Sequence, residues 1–226
     1  MRALAAEGVR VAFTYVRGAE PAQALVAELE QAGSQVLALQ AETAQPAEVR
    51  QALAAAVAHF GQLDILVNNA GVYVHSPVDE ATPDEAALAH LWQVNVYGTA
   101  QTVRAAVGHL SAGGRIINIG SGSNIRTPFA GTSDYAASKG ALAAYTRGWA
   151  RDLAPRQITV NNIQPGLIET DMTPTDPATV ASLLEPIMLG RFGTAREVGE
   201  VVAFFASEAA GYITGATLNV DGGWSA

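Results

Sequence analysis

Leu63-Asp64-Ile65-Leu66-Val67-Asn68-Asn69-Ala70-Gly71 is the stretch on which the fold can be read. Its first five residues have the length and character of a strand buried in a parallel sheet. Its last four are small, polar and turn-prone. Small residues at the carboxyl end of a strand let a flat ligand approach the backbone, and two asparagines can lock the turn. Taken alone, the tetrapeptide reads equally well as a plain strand-ending turn.

Outward from this stretch the chain alternates helix and strand. Upstream, residues 2–7 read as the end of a helix closed by Gly8, and 9–16 as a strand. Residues 21–32 are a helix ended by Gly33, 35–40 a strand, and 46–60 a helix with Pro46 in its first turn and Gly61 after its end. Downstream, Thr82-Pro83-Asp84-Glu85 opens a helix running to about Leu110, followed by a strand at 115–119 and a helix at 134–153. A strand at 158–163, a helix at 195–207 and a last strand at 217–220 complete the order. This rhythm predicts an α/β fold, a Rossmann-like doubly wound parallel sheet with right-handed crossovers, in one domain over residues 1–226. Ligands of such sheets bind beyond the carboxyl ends of the strands.

Composition narrows the function classes. The chain of 226 residues is 49% hydrophobic and only 15% charged, which suits a buried sheet with helices on both faces. A formal net charge of −8 argues against nucleic acid or an anionic membrane as partner. There is no cysteine, and His59, His75, His90 and His109 lack ligand spacing, so no metal site is expected. The apolar runs are too short to cross a bilayer, and a cytoplasmic location is the default.

Two further stretches at strand ends carry chemistry. Gly120-Ser121-Gly122-Ser123 follows the strand at 115–119 and offers hydroxyls to a carbonyl oxygen. Tyr135 stands near a helix start, with Lys139 one turn on along the same face. An ammonium beside a phenol favours phenolate, which brings the tyrosine towards neutrality as a proton donor or acceptor. Tyr-x-x-x-Lys alone is a weak signal, equally met by a solvated lysine beside an ordinary tyrosine.

Together these residues resemble the short-chain dehydrogenase/reductase family, and most closely its 3-oxoacyl-acyl-carrier-protein reductase branch. The resemblance rests on Asn68-Asn69-Ala70-Gly71, Asn95 in Asn-Val-Tyr-Gly, Ser121, Tyr135-x-x-x-Lys139, Pro165-Gly166, Thr214-Gly215 and Asp221-Gly222-Gly223. It implies hydride transfer between a nicotinamide cofactor and a carbonyl or secondary alcohol. By the resemblance Ser121 holds the carbonyl oxygen, with Ser123 as its rival, and Tyr135 supplies the proton. Lys139 lowers the Tyr135 pKa and bonds the nicotinamide ribose, and Asn95 holds a water that links Lys139 to solvent.

The implied cofactor contacts are Asn69, Ala70 and Gly71 near the adenosine ribose and Glu42 beside the adenine. Pro165, Ile168 and Thr170 line the nicotinamide. Where a relative preferring NAD places a carboxylate, Thr14 and Tyr15 stand here and Arg17 follows, so NADP is expected over NAD. Residues 171–191, with an apolar patch at Leu183, Leu184, Ile187, Met188 and Leu189, are expected as a flap over the substrate. An apolar ketone, a 3-oxoacyl thioester and a xenobiotic carbonyl all remain open. Apolar residues on more than one face of the helices at 84–110 and 134–153, including Leu88, Trp92, Val103, Leu142, Tyr145 and Trp149, predict a homodimer or homotetramer.

One departure stands out. In the family a first strand and a glycine-rich turn cradle the pyrophosphate, and that strand lies between those matching 9–16 and 63–67. This sequence opens at Met1-Arg2-Ala3-Leu4, like the end of the helix that follows the turn. The expectation is that the native protein extends upstream. With residues 1–226 alone, strand 9–16 should pair directly with 63–67, be displaced or be poorly ordered, and NADP should bind weakly or not at all. Two classes are therefore carried: an NADP-dependent reductase, and a catalytically silent relative acting as an oligomeric subunit or scaffold.

Overall fold

The computed structural model describes residues 1–127, 129–170 and 173–226. Among the described residues six parallel strands fall into two sheets. Strands β1 (Val11–Tyr15) and β2 (Val36–Gln40) pair with each other, and β3 (Leu63–Asn68), β4 (Leu110–Ile119), β5 (Thr159–Pro165) and β6 (Thr217–Val220) follow in that order. Among the described residues no ladder joins β1 to β3. Of the alternatives expected for strand 9–16, direct pairing with 63–67 does not form: one edge of β1 and one of β3 are both left open.

The helices account for this spacing. α1 (Arg2–Ala6) packs on α8 (Ala195–Ala206), while α3 (Pro46–Phe60) touches both β2 and β3. A single apolar cluster runs beneath both sheets, from Leu4, Val11, Leu29 and Val36 to Ile117, Ile163, Val202 and Phe205, with Phe13, Ile65 and Val67 against it. At the amino ends of the strands, the Arg10 guanidinium bonds the Phe60 carbonyl at 2.9 Å. The β1–β2 pair is thus fixed to the larger sheet through shared helices and core, not through backbone. On the opposite face Leu66, Val103, Ile116, Leu153 and Val160 form a second core.

Inside the larger sheet, Asn68, Asn118 and Asn162 stand in register on three neighbouring strands. The Asn68 amide donates to Asn118 Oδ1 at 2.8 Å, and Asn118 donates to Thr146 Oγ1 at 2.8 Å. Asn162, 0% exposed, has no protein partner for either amide atom.

The helix expected over 84–110 is divided. α4 (Glu85–Trp92) and α5 (Thr99–Ala106) flank a π-helical segment, Gln93–Gly98, and β4 already begins at Leu110. The widening sits where Gly98 meets the chain before α3: a methyl group at Gly98 would lie 2.5 Å from the Thr43 carbonyl oxygen. Such an extra residue per turn re-aims side chains and recurs at functional sites. α2 (Ala19–Gln31) links β1 to β2, α6 (Ser133–Leu153) precedes β5, and α7 (Pro177–Leu184) lies in the segment read as a flap. Asp171 and Met172, which open that segment, lie outside the described residues.

Candidate active site

Three elements meet at the carboxyl end of β3 and β4. β4 leads into extended backbone at Ser121 (φ −162°), whose hydroxyl accepts from the Ser123 amide at 3.2 Å and lies beside the Tyr135 phenol, which it draws down in pKa. Ser123 touches Ser121 through a hydroxyl–hydroxyl bond of 3.1 Å. It supports Ser121, whereas Ser121 is the serine that reaches the phenol. The loop is fastened from behind: buried Trp224 lies where a methyl at Gly122 would meet its ring at 3.2 Å, and Arg126 donates to the Trp224 carbonyl at 2.7 Å.

α6 presents Tyr135 and Lys139 from successive turns. Lys139 is only 4% exposed, and its ammonium donates to the Ile119 carbonyl at 2.9 Å. Burial lowers its pKa to about 8. It lies 5.9 Å from the centre of the Tyr135 ring. The expected fall of the tyrosine towards neutrality is not found: burial pushes the Tyr135 phenol up, against an opposing hydrogen bond from Ser121. The spacing of the two residues is as expected. The depth at which the phenol sits decides the sign.

Asn95, fully buried in the π segment, clamps the turn after β3. Its Oδ1 accepts from the Val72 amide at 2.8 Å, and its amide donates to the Val72 carbonyl at 2.9 Å and to Ser138 Oγ at 3.0 Å. Both donors of Asn95 are therefore spent on protein, and only Oδ1 retains acceptor capacity. Gly71 completes the corner, since a methyl there would lie 3.1 Å from Lys139 Nζ and 3.4 Å from Asn95 Oδ1. Pro165 closes the other side, its carbonyl 3.5 Å from a methyl placed on Gly122.

The remaining predicted residues lie around this centre. Asn69 and Ala70 are exposed at the end of β3. Tyr15 ends β1, Arg17 follows it, and Glu42 follows β2, all at the two-stranded sheet. Arg17 is exposed, and Glu42 accepts from the Ala44 amide at 3.2 Å within its own turn. Glu42 also lines a concavity of about 430 Å³ with Val16, Gln40 and Glu48. Ile168 lies against Gly193 and lines a separate concavity of about 420 Å³ with Met188, Leu189 and Gly222. Exposed Thr170 donates its amide to Thr173 Oγ1 at 2.8 Å.

Three neighbours escape the sequence reading. Tyr73 stands edge-on to Tyr135, with ring centres 5.1 Å apart and planes at 71°. Ser138 bridges Asn95 to the Tyr135 carbonyl, to which it donates at 2.7 Å. Trp224 backs the serine loop. Ser138 could have been found from its place beside Lys139 on a buried helix face; a loop tyrosine and a terminal tryptophan carry no such signal.

Known proteins match nearly all of this chain. The model of the enoyl-(acyl carrier protein) reductase family matches residues 1–225. A 3-oxoacyl-[acyl-carrier-protein] reductase of Staphylococcus aureus is 36% identical over 224 residues, covering 97% of this chain and 89% of that one. Among solved structures, a short-chain dehydrogenase/reductase of Serratia marcescens is 45% identical, with a TM-score of 0.96, over 100% of this chain and 91% of that one. A short chain dehydrogenase of Burkholderia cenocepacia, solved in complex with NADP, is 43% identical, with a TM-score of 0.94 and the same coverage of 100% and 91%.

Proposed function

The chain belongs to the short-chain dehydrogenase/reductase family, and from that premise we propose that it is an NADP(H)-dependent oxidoreductase working as a carbonyl reductase through Ser121, Tyr135, Lys139 and Asn95. The observation that carries the reading is the meeting of the Ser121 hydroxyl, from the loop after β4, with the Tyr135 phenol and the buried Lys139 ammonium of α6, behind Gly71.

The residues fit the cofactor at both ends. Lys139 spends one of its three donors on Ile119, which leaves two for ribose hydroxyls. The side chain missing at Gly71 gives that group room to approach Lys139. At the other end, exposed Arg17 follows β1, and Thr14 and Tyr15 bring no carboxylate there, which favours a 2′-phosphate. The NADP complex of the Burkholderia cenocepacia relative supports the same choice. Asn69, Ala70, Pro165, Ile168 and Thr170 are the further contacts proposed.

When bound, NADPH supplies hydride to a carbonyl carbon. Ser121 donates to the carbonyl oxygen and stabilises the charge that grows there. Tyr135 gives its proton to that same oxygen. A phenol that burial keeps protonated is in the form that donates. Lys139, mostly charged below about pH 8, holds the phenolate that remains. Asn95 sets the turn against which Lys139 rests.

The substrate proposed is an uncharged carbonyl compound, a 3-oxoacyl thioester among the candidates, handled by a single-domain homodimer or homotetramer in the cytoplasm. Half-buried Tyr145 and Trp149, stacked at 4.6 Å on α6, support the assembly. Among the described residues no helix is long and apolar enough to cross a membrane. Calorimetric titration of the 226-residue chain with NADPH and NADH tests the reading. Binding of NADPH at least tenfold tighter than NADH is expected; no binding of either returns the chain to the class of silent relatives.

A further inference from the structure

Tyr73 is an unusual exposed aromatic because its backbone is not free to move. The residue before it is clamped at both amide and carbonyl by Asn95, which is itself fully buried. Three residues later the Ser76 amide donates to the Gly131 carbonyl at 2.8 Å. Between them the His75 ring lies so close over Gly131 that a methyl there would meet Nε2 at 2.5 Å. The segment from Val72 to Ser76 is thus tied at one end to the π segment and at the other to the loop that leads into Tyr135.

From this brace the Tyr73 ring reaches Tyr135 edge-on at 5.1 Å and still leaves 54% of its surface in solvent. It forms a wall beside the phenol, next to where a substituent on a reacting carbonyl must lie. Phe129, whose carbonyl fixes Thr132 at 2.7 Å, places a second exposed ring on the adjoining loop. Arg126, the nearest cation in sequence to that loop, is engaged with the Trp224 carbonyl. A rigid aromatic face beside the phenol selects for planar π-systems, because ring pairs add attraction beyond the area they bury.

We infer that Tyr73 is a specificity-determining residue and that the preferred substrates are ketones fused or conjugated to an aromatic ring. The inference rests on the proposed role of Tyr135. Its test is a matched pair of bicyclic ketones, 2-tetralone and its saturated counterpart 2-decalone, reduced with NADPH. The unaltered protein should favour 2-tetralone in kcat/KM by roughly 10-fold. Tyr73→Leu should bring the two ketones within about twofold of each other by slowing 2-tetralone alone, and Tyr73→Phe should keep the preference.

A readout without turnover accompanies it. Quenching of protein fluorescence by 2-naphthol, a planar alcohol, should need roughly 10-fold more ligand in Tyr73→Leu than in Tyr73→Phe. Equal rates on both ketones in the unaltered protein, or a preference that survives Tyr73→Leu, overturns the inference while leaving the reductase reading intact. Failure to reduce either ketone, together with no binding of NADPH, overturns the reductase reading and the inference with it. Failure to reduce either ketone in a protein that binds NADPH overturns the inference alone.

Discussion

The two sheets of this molecule are built from the same kind of strand and end up in different conditions. β5 lies between partners, and six of its seven residues are buried; β1, with an open edge, has only Val11 buried. The groups proposed to react, Ser121, Tyr135 and Lys139, all stand against the four-stranded sheet, whereas Tyr15, Arg17 and Glu42, the proposed cofactor contacts, lie at or just beyond the ends of the two-stranded one. On the proposed reading, chemistry and cofactor choice rest on parts that share a core but, among the described residues, no ladder. Disturbing one should leave the other measurable.

The largest expected effect belongs to the four-stranded side. Tyr135→Phe removes the proton donor, and kcat should fall by roughly 10³-fold with the fold retained; near-normal turnover would end the assignment. Next is the contrast between the sheets themselves. Amides of β1 should exchange with solvent roughly 100-fold faster than those of β5, since local opening costs least where edges are unpaired. Equal protection in hydrogen-exchange mass spectrometry would mean that the open edges cost the smaller sheet nothing.

The pH dependence sharpens the comparison on the side of α6. Lys139 titrates near pH 8 in the folded chain and at its ordinary 10.5 when unfolded. The unfolded chain thus holds more protons between these values, and the destabilisation from Lys139, full below about pH 8, is relieved as pH rises to 10.5. Tyr135, shifted upward, works in the opposite sense only above its ordinary value of 10. Urea melts should show a rise on the order of 2 kcal/mol across that window, absent in Lys139→Met. On the two-stranded side, Arg17→Ala should weaken NADPH roughly 10-fold and leave NADH unchanged, as read by calorimetry. Equal loss for both cofactors would remove Arg17 from the phosphate.

Much of this was legible in the sequence because it depends on local pattern. Strand ends, the turn at Asn68 to Gly71 and the one-turn spacing of Tyr135 and Lys139 follow from alternation and helical period. The π segment was not legible, since its six residues sit inside a stretch that reads as one continuous helix, and Thr43, which packs on Gly98, is far from it in sequence. The early start of β4, at Leu110 instead of Arg115, runs through Gly113 and Gly114, residues that carry no strand signal. The direction of the Tyr135 shift depends on burial by other elements, and Tyr73 depends on a clamp made by Asn95. Neither is local.

The smallest effect concerns the row of asparagines. Replacing the unpartnered amide in Asn162→Leu should raise stability by about 1 kcal/mol, seen as a melting point higher by roughly 2–4 °C. An unchanged or lower value would show that Asn162 has a partner in solution.

That row also shapes how the fold responds to warmth. Unfolding brings Asn68, Asn118 and Asn162 into water along with the apolar residues around them. Hydrating amides lowers the heat capacity of the unfolded chain, while hydrating hydrocarbon raises it. A sheet with amides at its centre therefore gains less heat capacity on melting than an all-aliphatic sheet of equal size. Its stability curve is broader, and the four-stranded half keeps its free energy over a wider span of temperature.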